Sequence, residues 1–86
     1  MRPSEFIELI KGHMAELIWD APDEVDCGPL IQSEALELMG FIAENTRAIG
    51  EWKGHEWADD ILRLRLIALG EGELVALYDK VEKWYA

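Results

Sequence analysis

The side chains able to do chemistry are few, and their spacing argues against most kinds of it. Two histidines and one cysteine, His13, His55 and Cys27, are the only soft or borderline metal ligands. Their scattered positions match none of the short Cys/His intervals of a zinc site. His13 falls close to the apolar row Phe6, Ile10 and Leu17 and reads as a half-buried histidine. Cys27 lies in an acidic stretch, where carboxylates disfavour the thiolate that a nucleophile or ligand needs. Ser4 and Ser33 sit where helices begin, which accounts for them structurally. The pairs Asp59–Asp60 and Glu71–Glu73 could act as acid and base only in a desolvated cleft, and both fall where helix first turns are expected. Asp20, Asp23 and Asp26 lack the central glycine and terminal glutamate of a calcium loop. The expectation is a protein that is no enzyme and holds no metal and no cofactor.

What remains is charge. The chain carries 18 acids and 8 bases, a net charge of −10. No lysine or arginine lies between Lys11 and Arg47, a stretch holding Glu16, Asp20, Asp23, Glu24, Asp26, Glu34, Glu37 and Glu44. A one-signed field of this kind repels phosphates, so no direct nucleic acid binding is expected; it steers basic protein surfaces instead. Trp19 borders the acids, and an exposed tryptophan serves well as an interface anchor. The expected partner-binding set is Glu16, Trp19, Asp20, Asp23, Glu24, Asp26, Glu34 and Glu37. Against this stands the plain reading of a solvated face that keeps a small protein soluble. Trp52, at another helix end, invites the same choice between anchor and end cover.

These residues must be positioned by helices. Phe6, Ile10, Met14, Leu17 and Ile18 recur every three or four residues, predicting a helix over 3–19 with Pro3 in its first turn. An acidic loop follows over 20–28, broken by Pro22 and Gly28. A second helix is predicted over 30–49, opened by Pro29, with Ile31, Ala35, Leu38, Ile42 and Ile49 as its row and Gly50 as its stop. After a connector over 51–54, a third spans 55–69 around Trp57, Ile61, Leu64 and Ala68, with Leu62, Leu66, Ile67 and Leu69 widening it and Arg63 and Arg65 left outside. This one should be central. The fourth, 71–85, places Leu74, Leu77, Val81 and Trp84 on one stripe, with Tyr78 and Tyr85 beside it. No strand pattern is present. The expected fold class is all-α, a small four-helix bundle, up-and-down, in a single domain over 1–86.

Length and composition agree with that picture. Half the residues are apolar and 30% charged, as in a globular chain. A lone cysteine forbids an intrachain disulfide and suits a reducing compartment, and neither a leader peptide nor a membrane span is expected. The expected location is the cytoplasm. Lys11-Gly12-His13 returns as Lys53-Gly54-His55, but the flanking apolar pattern does not repeat with it, so it marks no duplication.

In small size, acidity, helical pattern and lack of a catalytic kit, the chain resembles phage- or plasmid-encoded inhibitors of host nucleases and bacterial immunity proteins. The resemblance is one of type and is carried by no motif. It implies a non-enzymatic acidic protein that docks on the basic surface of a protein partner and inhibits a nucleic-acid-handling enzyme by mimicking nucleic acid. The competing expectation is a self-associating helical module, a homodimer whose contacts come from the aromatic fourth helix.

Overall fold

Residues 1–16 and 18–81 are described by the computed structural model. They form an all-α fold of five helices and one short 3-10 turn, with no strand among the described residues. Helix α1 spans Pro3–Ala15, with Pro3 opening it as predicted. The chain breaks at Glu16, whose N–H turns back to the His13 carbonyl, and a 3-10 turn over Ile18–Asp20 follows. The predicted continuation to residue 19 therefore fails on geometry, with Glu16 at φ −125°, ψ −97°. Leu17 lies outside the described residues.

The second predicted helix is two helices, α2 (Gln32–Glu44) and α3 (Thr46–Ile49). Its start is later than expected. Pro29 stays exposed in the loop, and the first turn is fixed instead by Glu34, whose Oε1 accepts the Ile31 N–H at 3.3 Å. Ile31, expected on the apolar row, is therefore an exposed cap. The break at Asn45 has a local cause. Asn45 Nδ2 donates to the Phe41 carbonyl at 2.8 Å, and Thr46 Oγ1 donates to those of Ile42 and Ala43 at 3.0 and 3.1 Å. Side chains thus satisfy carbonyls that the helix would otherwise use.

No connector separates α3 from α4. Gly50 alone makes the turn at φ 95°, a left-handed conformation that side chains resist, and α4 runs from Glu51 to Ala68. Residues 51–54, expected as a loop, are its first turn. Gly70, at φ 85°, ends α4 as expected: the Glu71 N–H reaches the Leu66 carbonyl at 2.9 Å and the Gly70 N–H that of Ile67 at 3.0 Å, the two bonds of a Schellman stop. Helix α5 covers Gly72–Lys80, and Val81 has already turned to extended backbone. Trp84 and Tyr85, assigned to this helix from sequence, lie outside the described residues.

Helix α4 is the central element: α2, α3 and α5 all pack on it, while α1 packs on α2 and on the 3-10 turn. The core joins Phe6, Ile7 and Ile10 of α1 to Leu38 and Ile42 of α2, Ile49 of α3, and Trp57 and Ile61 of α4. Phe6 meets Trp57 edge to face, with ring centroids 5.4 Å apart. Three further core residues, Ala21, Val25 and Leu30, come from the stretch between α1 and α2 that the helical rows pass over. No helix among the described residues is long and apolar enough to cross a membrane.

Candidate functional site

The acidic loop is built onto α4 rather than hung from its ends. Trp57 Nε1 donates to the Pro22 carbonyl at 2.9 Å, and Asp60 Oδ2 accepts the Val25 N–H at 3.0 Å. At the loop's far end the Leu30 N–H donates to the Leu64 carbonyl at 3.3 Å, while Arg65 Nη1 donates to the Leu30 carbonyl at 3.2 Å. With Ala21, Val25 and Leu30 buried beneath it, the loop is held at three places along α4. Its acids point outward as a consequence.

The anchoring gathers carboxylates from three parts of the chain. Asp23 and Glu24 of the loop, Glu56, Asp59 and Asp60 of α4, and Asp79 of α5 surround one shallow depression of about 300 Å³ together with Arg63. Arg63 ties two walls together, giving Nη1 to Asp60 at 3.0 Å and Nη2 to Asp79 at 2.9 Å. Its hydrogen bond to Asp79 holds this guanidinium even more firmly charged than usual; burial opposes the effect and the charges of Asp79 and Asp60 reinforce it. Lys53, largely buried, reaches Asp23 at 3.2 Å and lies 5.9 Å from the centre of the Trp57 ring. Six carboxylates thus face two cations, leaving an excess of negative charge over the depression. Arg63 and Arg65, expected on the open side of α4, are half-buried because their guanidinium groups close these bonds.

The residues expected to bind a partner are only partly brought together. Asp23 and Glu24 line the depression; Glu16, Trp19, Asp20, Asp26, Glu34 and Glu37 do not. Trp19 is 76% exposed on the 3-10 turn, and Asp20 follows it in the open. Glu34 is committed to its cap, and Glu16, Asp26 and Glu37 are exposed. The acids that complete the cluster, Glu56, Asp59, Asp60 and Asp79, come from the half of the chain whose charges nearly cancel by count. Asp59 and Asp60 are not in a first turn, since α4 begins at Glu51. The signal was present in their spacing: Glu56, Asp59, Asp60 and Arg63 recur at three and four on a helix.

Cys27 is half-buried against the core. Burial pushes its thiol above the ordinary value; the N-terminal ammonium pulls the other way, and Asp26, Glu34 and Glu5 add to the rise. No three His, Cys, Asp or Glu side chains among the described residues are placed to hold a metal ion. No protein-family model matches the chain, and no curated protein or solved structure does so either. Function therefore has to be argued from the site itself.

Proposed function

We propose that this protein is a non-enzymatic binding protein, a single-domain four-helix bundle that sets its acidic side against a basic surface of a protein partner. The reading extends to inhibition of a nucleic-acid-handling enzyme in the cytoplasm, whose phosphate-binding groove the carboxylates occupy. The observation that supports it is the convergence of Asp23, Glu24, Glu56, Asp59, Asp60 and Asp79 around one depression, backed by a loop anchored at Pro22, Val25 and Leu30. Preorganised charge of one sign raises encounter rates with a basic partner and costs little ordering on binding. Trp19, the most exposed large apolar side chain among the described residues, supplies a contact that the acids cannot.

The test is charge reversal where it leaves the fold intact. Asp23→Lys with Glu24→Lys alters two exposed side chains whose only ion pair among the described residues is the one to Lys53. Partners are captured from nuclease-treated source-cell lysate, and association is then timed on the purified partner. The double variant should associate at least about tenfold more slowly at low salt and within about twofold of the native protein at high salt, where screening removes the field. Equal rates at low salt would sink the steering claim.

A further inference from the structure

The stripe Leu74, Leu77 and Val81, expected to face the core, faces solvent. Val75 is the residue of α5 buried against α4, while Leu74, Leu77 and Val81 are 54%, 60% and 61% exposed. Leu74 and Leu77 are one turn apart on α5, and Val81 lies just beyond its end in extended backbone. Beside this ridge runs a furrow of about 310 Å³ between α4 and α5, lined by Leu62, Leu66, Leu74 and Tyr78. Leu62 also borders a second furrow between α2 and α4, next to exposed Leu36.

We propose that a second copy of this chain covers this face, with the two α5 helices antiparallel across a twofold axis near Leu77. A ridge and a furrow side by side on one surface are what an isologous interface requires, because the ridge of each copy enters the furrow of the other. Charge selects the direction. Glu73 and Lys80 are seven residues apart on the same flank of the stripe, both exposed, and neither forms an ion pair among the described residues. An antiparallel pair sets Glu73 against the partner's Lys80 twice over and opposes the two helix dipoles, whereas a parallel pair gains neither. The area suffices for a modest dimer. Leu36, Leu62, Leu74, Leu77, Tyr78 and Val81, each roughly half exposed, offer roughly 500 Å² per copy, against the ~800 Å² of a standard interface. The furrow shares Asp59 and Arg63 with the acidic depression, but the proposed contacts are apolar and their test reads self-association, not partner binding.

Sedimentation velocity over a concentration series tests the proposal. The native chain should dimerise with a micromolar Kd that survives high salt, since apolar contact drives it. Leu77→Glu, which places two like charges at the axis, should weaken the dimer about 100-fold or more. Glu73→Lys should weaken it about tenfold, and Glu73→Lys with Lys80→Glu should restore it. These positions are exposed in the protomer, so unchanged far-ultraviolet circular dichroism should accompany each change. A native chain still monomeric at about 200 µM overturns the proposal and leaves the stripe to a different protein or to residues 82–86. Undiminished dimerisation of Leu77→Glu overturns it as well, by placing the interface on another face.

Discussion

Asp60 binds the acidic loop to the rest of the molecule, and its removal has a calculable cost. One carboxylate oxygen accepts the N–H of Val25, a core residue, and the other accepts Nη1 of Arg63. Truncation to alanine leaves the part-buried Val25 donor without its partner, at roughly 1–3 kcal/mol. It also breaks one of the two ion pairs of Arg63, a partly screened interaction worth about 1 kcal/mol. The sum is about 3 kcal/mol. For a domain of this size each kcal/mol moves the melting midpoint by about 4–8 °C, so Asp60→Ala should melt about 12–24 °C lower. Asp60→Asn keeps an acceptor for Val25 and loses mainly the ionic part, about 1 kcal/mol, and should melt about 4–8 °C lower. Thermal unfolding followed by circular dichroism measures both, with exposed Glu44→Ala as a control expected within about 0.5 kcal/mol of the native protein. Amide exchange then locates the effect: Val25 should lose protection in the alanine variant before the amides of α1 and α2 do. An alanine variant that melts within about 3 °C of the native chain, or that keeps Val25 protected, refutes the view that Asp60 pins the loop.

Two further outcomes follow from the same geometry. Trp57→Phe keeps a ring edge to face with Phe6 but leaves the Pro22 carbonyl without its donor and thins the surface under Lys53. Denaturant unfolding should show a loss of about 1–2 kcal/mol, and an unchanged midpoint would mean that the bond to Pro22 contributes nothing. Cys27, whose thiol is raised by burial, holds its proton more tightly folded than unfolded. Its contribution is therefore complete below the ordinary thiol value of about 8.5 and fades as pH rises through the folded value, because the unfolded chain ionises first. Urea midpoints between about pH 7 and about pH 10 should fall more for the native chain than for Cys27→Ser, and alkylation near pH 8 should be slower folded than in urea; equal pH slopes would count against the assignment.

Local pattern was enough to establish the helical class, part of the core rows of α1 and α2, the central place of α4 and the two glycine stops. Each follows from residues within one or two turns of each other. Phe6, Ile10, Leu38, Ile42, Trp57 and Ile61 are buried as their spacing demanded, and Gly50 and Gly70 take the left-handed backbone that ends a helix. Spacing also marked the acids of the loop, without showing where they would gather. Periodicity could not decide which side of a broad apolar stripe is covered. On α5 the choice went to Val75 over Leu74 and Leu77, because α4 meets the helix from that side and both stripes satisfy the same period.

The interhelical details depended on partners distant in sequence. Val25 and Asp60, or Leu30 and Leu64, lie far apart along the chain, and no short-range rule links a loop amide to a helix carboxylate or carbonyl. Those bonds, with Ala21, Val25 and Leu30 sunk beneath them, turn an irregular acidic stretch into part of the core. They also carry Asp23 and Glu24 to Glu56, Asp59, Asp60 and Asp79. The sequence by itself determined how much negative charge this protein bears and which helices carry it. Tertiary packing decided where that charge is concentrated, because backbone groups buried under the loop must find partners and α4 provides them.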